Sequence, residues 1–283
     1  MTPVTDSRPL TLERVSPRVI VALGPVEAGR AASNATVVVG DDATLVADTM
    51  VSPQLMRPVK AEAERLGGRP VRYVFNTHGD PDHLLGNVLF DEAVVIAHEA
   101  VADILSDAER RRSYQDRLGP DSEFTLRAPD QTFAKTHELD LGGVIAKATY
   151  VGPAHSVADS LLWLAEERVL VAADVVFNGL FPLIRDDLAN WMAALTLALE
   201  LEPAVVVPGH GPVGDTDTLR WQRDILKAIE SSVKDQYAAG VPLETARAAP
   251  VPPELATLPL ASERWPGAVR GVYHVLDGVS SSA

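Results

Sequence analysis

The chain has 283 residues, 46% of them hydrophobic, with a formal net charge of −14 and no cysteine. This length suits one large domain or two small ones, with ample apolar material for a core. The acidity argues against a nucleic-acid groove or docking on an anionic membrane, since both need clustered Lys and Arg. The lack of cysteine excludes disulfides, thiolate zinc sites and Cys nucleophiles.

"MTPVTDSRPLTLERV" places acidic residues and prolines where a secretory signal needs a basic end and an apolar run. No apolar stretch approaches the ~20 residues that span a bilayer, so the expectation is a soluble, cytoplasmic protein. "RVIVAL" reads as a strand, and "ATVVVGDDATLVAD" as a hairpin turning at Gly40-Asp41-Asp42. "SPQLMRPVKAEAERLGG" is a helix, with a Ser cap at its start and a Gly-Gly stop. "PVRYVFNTH" is a buried strand and "AVVIAH" another; "EAVADILSDAERRRSYQDRL" is a helix with a charged outer face. Residues 119–137 read as a loop with a short strand. Two strand-rich segments follow, "HELDLGGVIAKATYVG" and "DSLLWLAEERVLVAADVVF", the second turning at Glu166-Glu167. "DLANWMAALTLALELEP" is a helix capped by Asp186 or Asp187, and "AVVVPGHG" a last buried strand. An amphipathic helix, "DTDTLRWQRDILKAIESSVKDQYAAG", leads into a Pro-rich stretch and a short terminal helix. Strands and helices alternate in two successive blocks, which predicts a layered α/β sandwich.

Four of the polar residues that carry chemistry crowd into one short loop. "NTHGDPDHLLGN" holds His78, Asp80, Asp82 and His83 within six positions of a chain that has seven histidines. Three further polar residues end strand-like runs in the same way: His155 in "GPAHS", Asp174 in "VLVAADVVF" and His210 in "VVPGHG". Strand-terminal loops are where α/β folds place reactive groups, because the sheet fixes geometry while the loop exposes side chains.

The ordered set His-x-Asp-x-Asp-His, Gly-x-x-His, strand-ending Asp and Pro-Gly-His-Gly resembles the metallo-β-lactamase superfamily. The resemblance covers roughly residues 15–215, and it implies a four-layer αββα sandwich of the α/β class. The whole chain, 1–283, is then expected to be a single domain, with a core at about 15–215 and a C-terminal helical extension at about 216–283. The resemblance also implies two metal sites. The first would use His78, Asp80 and His155, the second Asp82, His83 and His210, with Asp174 bridging both. Imidazoles and carboxylates suit zinc, iron or manganese, and a bridging carboxylate lets two cations sit about 3.5–4 Å apart.

Asp80 departs from the family's usual His-x-His-x-Asp-His. An anionic oxygen there tilts the first site toward iron or manganese, and flavodiiron relatives carry an acidic residue at this position. Asp174, where many true β-lactamases have Cys, makes the site look closer to glyoxalase II and lactonases. The expected function is a dinuclear metal-dependent hydrolase, with zinc, iron or manganese and Asp82 as ligand and proton shuttle. It would cleave an ester, lactone, thioester or related carbonyl in a small-molecule substrate. The alternative is a di-iron or mono-iron oxygenase or oxidoreductase on the same scaffold. Phe177 and Phe181, after the bridging Asp, and His274, near the C-terminus, are candidate substrate contacts. His98 reads as a helix cap, His137 as a loop residue, and Asp159 as a turn former or a partner for a ligand's free ring nitrogen. The apolar C-terminal helices allow a homodimer.

Overall fold

The computed structural model describes residues 10–27, 30–119, 123–185 and 188–278. The strands are β1 (Thr11–Arg14), β2 (Val19–Leu23), β3 (Val26–Glu27), β4 (Arg30–Ala31), β5 (Ala35–Val39), β6 (Thr44–Ala47), β7 (Tyr73–Asn76), β8 (Val94–His98), β9 (Gln131–Phe133), β10 (Thr136–Asp140), β11 (Ile145–Tyr150), β12 (Ser160–Leu164), β13 (Val169–Phe177) and β14 (Val205–His210). The helices are α1 (Pro53–Gly67), α2 (Pro81–Leu84), α3 (Glu99–Ser106), α4 (Ala108–Leu118), α5 (Leu188–Glu200), α6 (Thr216–Ala238), α7 (Leu243–Ala248), α8 (Pro253–Ala256) and α9 (Ala261–Leu276), with a 3-10 turn over Leu85–Leu89.

One sheet has seven strands in the order β1-β2-β5-β6-β7-β8-β9, and a second has five in the order β10-β11-β12-β13-β14. Alternation along the strands produces two apolar faces per sheet. The inner faces meet in one cluster that includes Val19, Leu45, Phe75 and Ile96 from the first sheet and Ala146, Leu162, Val171 and Val207 from the second. On the outer face of the first sheet, Ile20, Val37, Val46 and Val74 pack under Leu55, Met56 and Val59 of α1. On that of the second, Leu170 and Ala172 share a core with Leu195 of α5 and Leu226 of α6. Helix, sheet, sheet, helix is the αββα order. Trp265, Ala268 and Val272 of α9 belong to that last core too, so the C-terminal helices are built into the sandwich's outer layer.

Local signals explain most elements. Ser52 accepts a hydrogen bond from Leu55 N, Pro53 opens α1, and Gly68 closes it at φ 63°. Asp215 and Thr218 form a capping box on α6. Asp107 splits the expected single helix after residue 98 in two, since its side chain accepts from Arg110 N and starts α4. β1 and α2 were not foreseen, because four residues each carry too little periodicity. His137 lies in β10, not in a loop. The terminal helix runs for 16 residues, longer than expected. The expected caps Asp186 and Asp187 lie outside the described residues. Among the described residues no helix is long and apolar enough to cross a membrane.

Asn34 joins the two halves. Its side chain donates to the carbonyls of Pro208 and Gly211, both at 2.9 Å, and accepts from Gly24 N at 2.9 Å, while its own N–H reaches Gly209 O at 2.7 Å. Asn34→Ala leaves several buried backbone groups unpaired, and an unsatisfied buried group costs about 1–3 kcal/mol. The expected loss of stability is therefore about 2–4 kcal/mol in urea denaturation.

Candidate metal centre

The side chains that can hold cations come from both sheets and meet at the ends of their strands. The loop after β7 delivers His78 and Asp80, and α2 adds Asp82 and His83 one turn later. His155 comes from the β11–β12 connection, Asp174 from β13, and His210 from the end of β14. All seven residues expected from the sequence converge. His78, Asp80, His155 and Asp174 form one cluster and Asp82, His83 and His210 a second, with donor atoms within 4.8 Å of one another in each.

Asp174 stands between the clusters. Its Oδ1 lies 3.1 Å from His83 Nε2 and 3.4 Å from His210 Nε2. Its Oδ2 lies 3.4 Å from His155 Nε2 and 3.8 Å from His78 Nε2. His78 Nε2, His83 Nε2 and Asp174 Oδ1 are buried with no hydrogen-bond partner. Buried polar atoms are normally satisfied, so unsatisfied atoms within these two clusters fit divalent cations, and the donor chemistry agrees.

The backbone gives way around this carboxylate. Asp174 lies inside β13, where the expectation was a strand end, and the β13–β14 register shifts on both sides of Ala173. Ala173 has φ 45° and Asp48 φ 59°, left-handed conformations that cost non-glycine residues roughly 1–3 kcal/mol and gather at functional sites. A Cβ at Gly209 would fall on Asp174 Oδ1, so only glycine admits the carboxylate there.

Each imidazole is held by its other nitrogen or by neighbouring rings. His83 Nδ1 pairs with Asp48 Oδ2 at 2.8 Å. Asp48 also accepts from Thr77 N at 2.9 Å and Thr77 Oγ1 at 2.8 Å, so one carboxylate sets both a ligand ring and the loop that carries His78. His155 Nδ1 faces Leu183 O at 3.0 Å. Phe177 stacks on His210 with centroids 5.3 Å apart and meets His155 edge-on at 5.4 Å. The bracketing asparagines of the loop clasp each other, with Asn87 Nδ2 donating to Asn76 Oδ1 at 2.7 Å.

Asp80 has an arginine as its partner. Arg185 Nη1 donates to its Oδ1 at 3.0 Å and Nη2 to its Oδ2 at 2.7 Å, a two-point pair. Oδ2 simultaneously lies 3.3 Å from His155 Nε2. Arg185 therefore offsets the negative charge that Asp80 adds and leaves an oxygen facing the first cluster.

Of the other expectations, Phe177 and Phe181 are both almost fully buried, and Phe181 packs against Trp265. His274 sits partly exposed near the end of α9. His98 caps α3 through Ala100 N and stacks on Tyr150 at 3.7 Å. Among the described residues Asp159 accepts from Ala154 N, Ser156 N and Ser156 Oγ and so shapes the loop that carries His155. Sequence reading missed Asp48, Leu183 O and the Asp80–Arg185 pair. The only signal for Asp48 was an Asp at the end of an apolar strand, and the other two carry none.

The family model of the metallo-beta-lactamase superfamily matches residues 28–210, and the chain belongs to this superfamily. It is 26% identical over 259 residues to a linear primary-alkylsulfatase of Pseudomonas sp. (strain ATCC 19151), covering 75% of this chain and 49% of the relative. It is 28% identical over 176 residues to 2,4-dinitroanisole O-demethylase subunit alpha of Nocardioides sp. (strain JS1661), covering 60% and 50%. The chain thus spans about half the length of these curated relatives. Among solved structures, a double mutant of a sec-alkyl sulfatase superposes with a TM-score of 0.68 at 18% identity, over 94% of this chain and 50% of the other. A metallo-beta-lactamase from Pontibacter korlensis gives 0.64 at 20% identity, over 77% and 99%. The superfamily typically binds divalent metals, in keeping with the two His/Asp clusters.

Two outcomes are expected. Asp48→Ala frees the His83 ring and lowers zinc affinity about 10–100-fold, read by competition with a chromophoric chelator. The second concerns protons. Burial, the strongest single influence on His210, works against its charged form, yet Asp174 and Asp82 outweigh it and raise the group to about 9. A cation must displace that proton. Below about pH 9, metal uptake therefore releases protons and apparent affinity climbs with pH, as calorimetry in buffers of different ionisation enthalpy will show. In the metal-free protein the same group stabilises fully below its ordinary value of 6.5, and that contribution is lost as pH rises through about 9. Asp80 and Asp174, both held well below 3.8 against the opposing effect of burial, contribute above that value and lose their contribution as pH falls.

Proposed function

We propose that the protein is a dinuclear metal-dependent hydrolase of a small-molecule ester-type bond: a carboxylic ester, lactone or thioester. The observation that carries this reading is the position of Asp174, with one oxygen toward His83 and His210 and the other toward His78 and His155. His78, Asp80 and His155 would hold one cation and Asp82, His83 and His210 the other. When bound, such cations lower the pKa of water toward ~7 and polarise a carbonyl oxygen.

The chain's own groups do the rest. Asp82 is the most solvent-accessible carboxylate of the seven, at 28%, and one of its oxygens lies 3.4 Å from His210 Nε2. Burial works to raise its carboxyl, but His83 and His210 hold it below the ordinary value. It is thus ionised at neutral pH, available to accept a proton from the attacking water and pass it to the departing alkoxide or thiolate. Phe177 packs on the His155 and His210 rings and Trp191 on His155, and both aromatic side chains are fully buried, which keeps water from that side of the imidazoles.

Two finer readings each have one supporting observation. The alkylsulfatase similarity favours a sulfate ester as the scissile group. Asp80, an anionic oxygen beside His78 and His155, favours iron and a redox reaction. Asp82→Ala is expected to lower kcat/KM by about 100-fold or more on the best substrate from a panel of aryl esters, thioesters, lactones and alkyl sulfates. Full turnover by that variant would remove the mechanism, and oxygen uptake by iron-loaded protein without ester cleavage would favour redox chemistry.

A further inference from the structure

Two arginines, Arg185 and Arg264, lie near the His/Asp clusters, and they differ in their partners. Arg185 is paired with Asp80. Arg264, in the first turns of α9, has its Cζ 5.1 Å from the centroid of Phe177, the ring that stacks on His210. Its side chain donates from Nη1 to Phe181 O at 2.6 Å. Among the described residues no carboxylate forms a direct ion pair with it, although Asp174, Asp82 and the neighbouring Glu263 attract it. Among the described residues its side chain has the Phe181 carbonyl as its hydrogen-bond acceptor, whereas an arginine guanidinium presents several donors in a fixed fork.

The placement is built. Arg264, Gly267 and Gly271 are spaced three and four apart and so share one face of α9. At Gly271 a Cβ would lie 3.5 Å from Ile184 Cγ2 and 3.7 Å from the Arg185 backbone. The helix thus rests closely on the 181–185 segment, and Phe181 N donates to Pro259 O just ahead of it. This is the segment whose Leu183 carbonyl holds His155 and whose Arg185 holds Asp80. The contacts fix Arg264 beside the centre, close enough for Asp174 and Asp82 to attract it and for Arg185 to repel it. Cations bound at the centre would engage those same carboxylates and add to the positive field. An aromatic face and a backbone carbonyl stabilise a guanidinium modestly; a charge-assisted pair with an anion is the stronger interaction such a group forms.

We infer that Arg264 anchors a negatively charged group, a carboxylate or sulfo group, on the substrate, so that this site takes anionic small-molecule esters. The inference rests on the hydrolase reading for its chemistry, but the anion subsite is defined by Arg264 itself. It also gives the C-terminal helices a role in specificity.

The test compares metal-loaded wild-type and Arg264→Met proteins on mono-4-nitrophenyl succinate and 4-nitrophenyl butyrate. These esters share a leaving group and differ by a terminal carboxylate. The preference for the succinate ester, as a ratio of kcat/KM values, is expected to fall about 10- to 100-fold in the variant, carried by KM for the charged ester. Arg264→Lys should restore part of it. An unchanged ratio would overturn the inference. Calorimetry with glutarate gives a readout independent of turnover: weaker binding by Arg264→Met supports the subsite, and equal binding refutes it. This arm still reports if neither ester is cleaved, a result that would count against the hydrolase reading alone. If Arg264→Met loses the native melting transition, Arg264→Gln carries the same comparison.

Discussion

A buried carboxylate placed among four imidazoles is the constraint from which most of this structure follows. Ionised groups are costly to remove from water unless they are paired, yet Asp174 is 3% exposed and Asp80 and Asp82 stand beside it. Burial works against the charged imidazoles, but the carboxylates raise His78, His83 and His210 above their ordinary value and so favour the charged forms that offset this cost. Arg185 offsets part of the remaining negative charge at Asp80. The arrangement gathers groups that could hold metal ions in place of protons.

Holding those groups together shapes the scaffold around them. The bulge at Ala173, the left-handed Asp48 and the glycine at 209 are local concessions to side-chain placement. Rigid sheets on both sides keep them in place, and Asn34 fastens the first half of the sandwich to the loop that ends at His210. Farther out, α9 braces the 181–185 segment, which in turn fixes His155 and Asp80. The outer helix and the inner ligands are therefore mechanically continuous. A change in the C-terminal helices can reach the centre through a single short segment.

The sequence exposed the clustered His and Asp residues more fully than their supports. The seven residues expected to hold metal were named because their order along the chain resembles a known set of motifs, and the structure brings their side chains together. The sandwich was legible for a separate reason: alternating apolar strands and capped helices such as α1 leave few arrangements that bury every apolar face. What stayed hidden depends on contacts between residues far apart in the chain. Asp48 and His83 are 35 positions apart, and Asp80 and Arg185 are 105, and no local pattern marks such pairs. Ala173 shows the same limit in the backbone, since alanine carries no sign that its φ will be positive. Asp107 is a case where a cap was present and the charged helix pattern around it masked the break.

The most direct measurement of the central claim is a metal count on folded protein, combined with anomalous scattering at the metal edge. The account predicts that chelator-stripped, correctly folded chain takes up two divalent cations. They would lie about 3.5–4 Å apart on either side of the Asp174 carboxylate. Folded protein that retains no cation, or that binds its metal away from Asp174, would contradict it.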